Sequence, residues 1–260
     1  NRDDPLSPEE RDEYERDLIA FCDRELDLLG DISGKRVLYA GGTSPLWIEG
    51  LAEKIGPEGS LTAIDTDEEG LEVARESFDP DELPLVPEYV FGNIFDPPFE
   101  DHPFNLVYSS GLLHELDVSG REEGILEALW NLGSVLRSGG LLVASDFVND
   151  VPSAQAEEEA ILAEVARLTT GSELFGIGGE SRIGRLLCGS FESWSLESHP
   201  PFGIRHLGKL FLIQSEPDGL DSLKPDDARR LRRRWSKLGA RVRREGYTRP
   251  ATILVSTTRS

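Results

Sequence analysis

The feature that most constrains the fold is a regular alternation of short apolar runs with longer helical patterns between Lys35 and Phe147. Short apolar runs bounded by turn residues predict buried strands, and apolar residues spaced three and four apart predict helices. Strands that alternate with helices form parallel sheets with right-handed crossovers. The predicted strands are residues 37–40, 60–65, 89–91, 104–110 and 140–147, and the predicted helices are residues 46–55, 68–78 and 121–136.

An N-terminal helix precedes this alternation. Apolar residues recur at helical spacing from Pro8 to Gly30, and Ser7 with Glu10 has the spacing of a capping box. The chain has 260 residues, 38% of them hydrophobic, which is enough for one substantial core. We predict an α/β fold with a doubly wound, mainly parallel sheet, helices on both faces, an N-terminal helix and an elaborated C-terminal third.

In the last third of the chain, the sequence pattern predicts helices over residues 154–168 and 226–245 and a closing strand over residues 251–258. Two arrangements of the far sheet edge remain open. In one, residues 191–198 and 209–214 form an edge hairpin. In the other, residues 151–225 form an inserted lid, and residues 241–245 pair with the closing strand. We favour the second, because a long helix and Gly239 lead directly into the final strands.

The charge balance is strongly acidic. There are 49 Asp and Glu residues against 27 Lys and Arg, only five of which are lysine, for a net charge of −22. Such a charge is tolerated best where salt screens it, so we interpret it as the mark of a halophilic organism. A GC-rich genome would explain the few lysines but not the excess of acids. The negative field disfavours nucleic acid as a partner.

Membrane and disulfide chemistry are not indicated. No apolar run approaches the roughly 18 residues that a membrane span needs, and the first residues lack the pattern of a signal peptide. We therefore expect a soluble, cytoplasmic protein without a membrane partner. Cys22 and Cys188 lie far apart in the sequence and have no C-x-x-C spacing, so neither a disulfide framework nor a metal site is expected.

A ligand site is indicated where the first two predicted strands end. Gly41 and Gly42 follow the first strand, and glycines there let a ligand approach the backbone beside the following helix N-terminus. Asp65 ends the second strand, where a carboxylate can accept hydrogen bonds from both hydroxyls of a ribose. Together these features favour a nucleotide-like ligand.

With these residues in place, the chain resembles the class I S-adenosylmethionine-dependent methyltransferases over roughly Gly34 to Phe147. The resemblance is carried by VLYAGGTSPLW (37–47), AIDTDEEGLEVAR (63–75), FGNIFDPPF (91–99), FNLVYSSGLLHEL (104–116) and LRSGGLLVASDF (136–147). It implies a Rossmann-like sheet, with residues 1–33 as an N-terminal helical segment, residues 34–150 as the cofactor-binding core, and residues 151–260 as a substrate-covering and sheet-completing region of the same domain.

The same resemblance implies S-adenosylmethionine as the cofactor, without a metal, and a set of contact residues. Gly41, Gly42 and Thr43 would approach the methionine portion, and Asp65, with Thr66 beside it, would bind the ribose. Asn93 and the backbone of Ile94 would face the adenine, and Ser109 and Ser110 would flank the methionine amine. The sequence departs from the family pattern at Tyr39, where an acid is usual, at Thr43 and Pro45, where glycines are usual, and at Asn93, where aspartate is common.

His114 is the candidate catalytic base. It lies just past the predicted fourth strand, with Glu115 beside it, and ligands of open α/β sheets bind at the ends of the strands. An imidazole there can take a proton from an attacking oxygen or nitrogen. The alternative is that His114 caps a short helix or lines the cofactor pocket without transferring a proton.

One stretch opposes the overall charge. Residues 226–249 hold ten basic and three acidic side chains. Such a face could receive a phosphorylated substrate or RNA. We favour the alternative that it packs on an acidic surface, for instance the N-terminal helix. The aromatic residues and glycines between residues 171 and 208 favour a loop region that covers the substrate.

The sequence thus predicts an enzyme that transfers a methyl group from S-adenosylmethionine to a small molecule. It leaves the acceptor and the oligomeric state open. Three alternatives remain: an S-adenosylmethionine-binding protein without transferase activity, an NAD-dependent Rossmann protein, and an RNA-binding protein. The NAD alternative is disfavoured because the G-x-G-x-x-G fingerprint is absent.

Overall fold

A computed structural model describes residues 5–79, 83–101, 103–121, 123–174, 178–188, 191, 193–214 and 216–259. The helices are α1 (Pro8–Asp27), α2 (Pro45–Ile55), α3 (Glu68–Glu76), α4 (Gly124–Ser134), α5 (Ala154–Thr169), α6 (Glu180–Leu187), α7 (Leu207–Ile213) and α8 (Pro225–Glu245). The strands are β1 (Arg36–Ala40), β2 (Ser60–Asp65), β3 (Glu88–Phe91), β4 (Phe104–Ser110), β5 (Leu136–Phe147), β6 (Trp194–His199) and β7 (Thr252–Thr258).

These strands form one sheet with the order β3-β2-β1-β4-β5-β7-β6. The pairs from β3 through β5 are parallel, and β7 runs antiparallel to both of its neighbours. The predicted α/β class and the mainly parallel, doubly wound sheet are therefore confirmed. Strand β1 lies between β2 and β4, and the chain leaves it first toward β2 and later toward β4.

Each face of the sheet carries its own apolar core because the central strands are buried on both sides. Val37 and Tyr39 of β1 pack with residues of α1 and α2, whereas Leu38 and Ala40 pack on the opposite face with residues of α4 and α6. A third cluster joins α5, α7 and α8. Helices thus cover both faces, and no helix within the described residues is long and apolar enough to cross a bilayer.

The predicted N-terminal helix is confirmed, together with its capping box. The Ser7 side chain accepts a hydrogen bond from the Glu10 backbone, and the Glu10 carboxylate accepts one from the Ser7 backbone. Residues of the segment before α7 hold this helix: Arg205 pairs with Asp17 at 2.8 Å, and His206 lies 2.8 Å from Glu13. The N-terminal helix is therefore tied ionically to the segment at Arg205 and His206.

The basic stretch forms α8, which packs on an acidic surface as expected but on a different helix from the one suggested. Arg234 pairs with Glu157 at 2.9 Å and with Glu164 at 2.6 Å, and Arg230 pairs with Glu164 at 2.8 Å. These carboxylates belong to α5 rather than to α1. Intramolecular pairing of this kind uses cations that would otherwise be available to a polyanion.

Each of the two predicted arrangements of the far edge included one strand that is helical in the structure. Residues 209–214 are not a strand, because Leu207–Ile213 form α7 and bury Phe211 against α8. Residues 241–245 are the last turn of α8, which ends at Gly246 with a φ of +82°. The edge combines β6, from the first arrangement, with β7, from the second. The segment 151–225 is therefore no simple lid, since β6 is a strand of the main sheet and α6 packs in the core on one face of that sheet.

Gly42 offers a test of how tightly the first loop packs. A Cβ at Gly42 would come 2.7 Å from the Ala63 Cβ and 2.9 Å from the Tyr39 carbonyl oxygen. Overpacking of this kind costs about 1–3 kcal/mol, so we expect Gly42→Ala to lower the free energy of unfolding by about that much in urea titrations. The matched control is Gly133→Ala in α4, where a Cβ meets nothing within 4 Å. The control should stabilise the protein by about 0.4–1 kcal/mol. Wild-type stability in Gly42→Ala would contradict the tight packing.

Candidate active site

A cavity of about 1010 Å³ opens where the parallel strands end. The connections from β1 and β4 diverge there, and ligands of open α/β sheets bind in the crevice that such a divergence creates. Residues from the ends of β1, β2 and β4 form its floor, and residues of α1, α5 and the loops before α7 and β7 form its walls. Of the predicted site residues, those that line the cavity are Gly41, Thr43, Asp65, Thr66, Asn93, Ile94, Ser110 and His114.

The glycine loop divides into a ligand-facing and a packing position. Gly41 lines the cavity with a φ of +78°, a conformation that residues with a Cβ rarely adopt. Gly42 does not line the cavity, because it packs against Ala63 of β2. Both backbone N–H groups donate to the Ile64 carbonyl oxygen, at 3.0 and 3.1 Å. Gly42 thus holds the loop against β2 beside Gly41, and its predicted approach to a ligand stays a prediction.

The proline that departs from the family pattern has a simple structural place. Pro45 is the first residue of α2, where its missing N–H costs nothing. Thr43 and Ser44 line the cavity directly before this helix. The helix N-terminus therefore faces the cavity without the additional glycines.

Asp65 presents a carboxylate to the cavity at the end of β2. One of its oxygens accepts a hydrogen bond from the Asp67 backbone at 2.9 Å. Burial raises the pKa of this carboxyl, and the backbone hydrogen bonds of Asp67 and Thr66 partly oppose that rise. No Lys, Arg or His among the described residues pairs with it. Its remaining acceptor sites are therefore available to a ligand's hydroxyl groups.

The loop after β3 forms an apolar slot beside Asp65. Ile64, Ile94 and Leu116 line it, and Ile94 is only 6% exposed. The Asn93 side-chain oxygen accepts a hydrogen bond from the Phe95 backbone at 2.9 Å, which fixes the turn. Arg121 lies 3.8 Å from the centre of the Phe95 ring and closes this end of the cavity. This end of the cavity therefore has a largely apolar lining.

The two serines at the end of β4 point to different places. Ser110 lines the cavity, whereas Ser109 is fully buried and its hydroxyl has no hydrogen-bond partner within the described part of the chain. Successive side chains of a strand face opposite sides of the sheet, so only one of the pair can face the cavity. The Ser109 side chain does not line the cavity, and the predicted ligand contact of Ser109 stays a prediction.

His114 is held by Asp146, a residue that the sequence did not single out. Its Nδ1 lies 2.8 Å from one Asp146 oxygen, and its backbone N–H donates to the other at 3.0 Å. Both side chains are buried, with 10% of His114 and 1% of Asp146 exposed. The His114 Nε2 lies 3.5 Å from Glu115 and 4.0 Å from Glu159. Three carboxylates therefore surround one imidazole.

This environment determines the charge of His114. Burial alone lowers the pKa of the imidazole, but the hydrogen bonds to Asp146 and Glu115 and the negative charges of Asp146 and Glu159 raise it to about 10. An imidazolium has no lone pair to accept a proton. With a pKa near 10, His114 is a hydrogen-bond donor at neutral pH, and the predicted role of base requires its neutral form.

The wall opposite the cofactor loops consists of residues that sequence patterns did not identify. Glu158 and Glu159 face the cavity from α5, and Tyr247 and Arg249 face it from the loop between α8 and β7. The Tyr247 hydroxyl donates to Glu158, and Gln155 donates to Glu159 at 2.8 Å. Burial raises the pKa of both carboxyls. Only the tertiary fold brings these two segments together, so sequence spacing carries no signal of them.

The protonation of His114 can be measured directly. We expect its Cε1 proton resonance to titrate near pH 10, and we expect Asp146→Asn to move that transition toward the usual value of about 6.5. A transition near pH 6.5 in the wild type would contradict the assigned charge. Glu115→Gln is the matched control, because Glu115 is 73% exposed and its loss should move the transition less.

The same group should appear in the pH dependence of stability. The pKa of His114 is higher in the folded than in the unfolded chain, so its contribution is complete below about pH 6.5 and declines as pH rises toward 10. The difference in free energy of unfolding between wild type and His114→Gln should therefore shrink over that range in urea titrations. A difference that stays constant with pH would count against this coupling.

The geometry of the cavity agrees with what comparisons with known proteins show. Residues 37–140 match a family described as "Methyltransferase domain". A demethylmenaquinone methyltransferase from Listeria welshimeri is 35% identical over 101 residues, which are 38% of this chain and 39% of that protein. The chain thus spans about two fifths of the length of the curated relatives that it matches.

Solved structures share the fold across almost the whole chain. A cyclopropane-fatty-acyl-phospholipid synthase-like protein from Lactobacillus casei has a TM-score of 0.66 at 13% identity, with 94% of this chain and 92% of that chain covered. A geranyl diphosphate methyltransferase, solved in complex with S-adenosylmethionine, has a TM-score of 0.60 at 12% identity, with 93% and 85% covered. Residues 37–140 of this chain thus match a methyltransferase domain, and the whole chain has the fold of these solved structures.

Proposed function

We propose that the protein transfers a methyl group from S-adenosylmethionine to a small molecule bound in the same cavity. The observation that carries this proposal is that Gly41 and Asp65 lie side by side at the carboxyl ends of the neighbouring strands β1 and β2. A positive-φ glycine and a carboxylate with unused acceptor sites lie on adjacent strand ends, as a ligand with a ribose requires. The match of residues 37–140 to a methyltransferase domain supports S-adenosylmethionine as this ligand.

Each wall of the cavity has a distinct part in holding that cofactor. Asp65 accepts hydrogen bonds from the ribose hydroxyls, and the slot at Asn93 and Ile94 holds the adenine. Gly41 and Thr43 admit the methionine portion beside the N-terminus of α2, with Ser110 on its other side. These roles are proposals, supported by the position of every one of these residues at the cavity.

When bound, the cofactor supplies a methyl group that its positively charged sulfur already activates. The chain then has to align an acceptor atom and exclude water, which accounts for much of the rate in such reactions. His114, as a donor at the end of β4, is placed to orient the acceptor through a hydrogen bond. Phe147, whose ring centre lies 5.5 Å from that of His114, shields the same place from water.

A small acceptor is supported by the residues that share the cavity. Side chains of α1, α5 and the segment before α7 line the same cavity of about 1010 Å³ as the strand ends, so a small acceptor bound there would lie beside the cofactor. The Listeria relatives are named for methyl transfer to demethylmenaquinone, which is also a small molecule. Of the residues between 171 and 208 expected to cover the substrate, Ile204 and Leu207 line the cavity, whereas Phe175 lies outside the described residues.

A protein that binds the cofactor without transferring a methyl group is the second candidate. The observation that favours it is Tyr39, which lines the cavity where the family usually has an acid. Tyr39 stacks on Tyr108 with ring centres 5.9 Å apart, so an aromatic pair fills the place of a charged group. Exchanging Tyr39 for Asp separates the candidates: a degenerate site should gain cofactor affinity, whereas a working site should lose activity.

The proposed cofactor site is tested by calorimetry with S-adenosylmethionine and S-adenosylhomocysteine, with NADH as the negative control. Hydrogen bonds to a charged group contribute roughly 1.5–3 kcal/mol, so Asp65→Asn should weaken adenosyl binding about tenfold or more. Asp67→Asn is the matched control, because Asp67 caps α3 and does not line the cavity. Its affinity should stay within about twofold of wild type, since Asn is an equally good cap.

All titrations are made in molar KCl, which screens the net charge of −22 and keeps the acidic chain compact. Two results then decide the proposal. Release of S-adenosylhomocysteine on addition of members of a panel of small phenols, quinols, amines and carboxylates distinguishes transfer from binding alone. Absence of adenosyl binding by the folded wild type would refute the proposed function.

A further inference from the structure

Arg249 combines a place at the cavity with the lack of a carboxylate partner among the described residues. It lines the cavity, and burial lowers the pKa of its guanidinium. Its Nε donates to the Gln155 side-chain oxygen at 3.3 Å, and its Nη1 donates to the Phe202 carbonyl oxygen at 3.4 Å. Both acceptors are neutral. No carboxylate in the described part of the chain lies within 4.0 Å of it.

The lack of an acidic partner is notable in a chain with 49 acidic residues. Arg205, Arg230, Arg232 and Arg234 each pair with at least one carboxylate. Burying a cation without a counter-ion is costly unless some other group compensates it. The guanidinium carbon of Arg249 lies 4.7 Å from the centre of the Phe21 ring and 5.1 Å from that of Phe147. These rings hold the guanidinium but supply no negative charge.

Carboxylates near Arg249 already have other partners. Glu158 accepts from Tyr247, Glu159 accepts from Gln155, and Asp146 binds His114. Glu25, a buried acid on α1, lies 3.6 Å from Arg24 without a hydrogen bond, and Glu25 and Glu159 act on Arg249 only through their negative charge, which raises its pKa. A guanidinium has five N–H donors in a fork that matches a carboxylate, and two of those of Arg249 donate to neutral oxygens. The others have no acceptor within the described residues.

Arg249 also lies close to the end of the cavity where a methyl group would be transferred. Phe147 contacts both Arg249 and His114, with 5.5 Å between the ring centres of Phe147 and His114. A Cβ built on Gly111 would lie 3.6 Å from His114 and 3.7 Å from Phe147. Gly111 directly follows Ser110, a proposed cofactor contact. Arg249 and His114, the residue proposed to orient the acceptor, therefore contact the same ring, that of Phe147.

We propose that Arg249 is the anchor for a carboxylate group of the acceptor molecule. The inference rests on the proposed function and extends it to a substrate class: small carboxylic acids with an apolar or aromatic body. The carboxylate pairs with the guanidinium at its unoccupied edge, while the body packs on apolar side chains of α1, α5 and the segment before α7. The apolar side chains at the cavity are Leu18, Leu162, Ile204 and Leu207.

A purely structural role for Arg249 makes a different prediction. In that role the side chain only ties Phe202 and Phe21 to Gln155, and its loss would lower stability without changing ligand preference. In the proposed role its loss changes the preference between ligands that differ only in charge. Comparing charged and neutral ligands of one shape therefore separates the two roles.

The test uses the full chain loaded with S-adenosylhomocysteine and three probes of similar shape: benzoate, benzamide and benzylamine. We expect calorimetry to show benzoate binding at least about tenfold more tightly than either other probe. Arg249→Gln should abolish this preference, and Arg249→Lys should keep only part of it, since lysine retains the charge but not the fork. Arg243→Gln is the matched control, because Arg243 is exposed on α8 and does not line the cavity.

Several outcomes would overturn the inference. It fails if benzoate binds no better than benzamide, or if Arg249→Gln keeps the wild-type preference. It also fails if benzylamine binds best, because Glu158 and Glu159 would then select cations. If Arg249→Gln does not fold, Arg249→Lys decides, and undiminished benzoate affinity in that variant refutes the carboxylate fork. The ratio of benzoate to benzamide affinity is also measured without S-adenosylhomocysteine, where we expect the same value. If the protein fails to bind adenosyl compounds but keeps this ratio, only the proposed function is refuted.

Discussion

The site depends on one close contact, the packing of the Gly42 backbone on β2. The N–H groups of Gly41 and Gly42 both reach the Ile64 carbonyl oxygen, and no side chain fits between Gly42 and Ala63. This contact folds the loop after β1 over the end of its neighbour. Gly41 is thereby turned toward the cavity, and Asp65 stands directly beside it. A ligand can then touch a bare backbone and a carboxylate at the same time.

Much of this central region could be predicted because its signals are local. Buried parallel strands are short apolar runs, and the glycines and Asp65 occupy strand ends that the alternating pattern locates. Gly42 and Ser109, which do not line the cavity, show one limit of such patterns. A pattern places a residue at a strand end, but which side it faces depends on the pleat and on the neighbouring strand. At β4 the pleat directs Ser110 toward the cavity and Ser109 away from it.

The last third was predicted less well because its structure is decided by contacts distant in sequence. Leu207–Ile213 is a short apolar run that suits a strand or a helix equally. It is helical here because Phe211 packs against Trp235 and Tyr247, residues that follow it by more than twenty positions. The same kind of contact brings Asp146 to His114 and Arg249 to Phe21. The wall of the cavity that faces the acceptor is thus the part of the site with no sequence signature.

The charge of His114 shows how the two ends of the cavity act on each other. Its pKa is high because the acids around it outweigh its burial, and any positive charge placed beside it lowers that pKa again. A cationic ligand at the end of β4 would therefore shift His114 toward the neutral form, and a carboxylate held at Arg249 would act in the opposite direction. The base expected from the sequence and the donor found in the structure are two protonation states of one group. Which of them operates depends on the charges of the molecules that share the cavity, so the acceptor itself contributes to the acid–base state of the site.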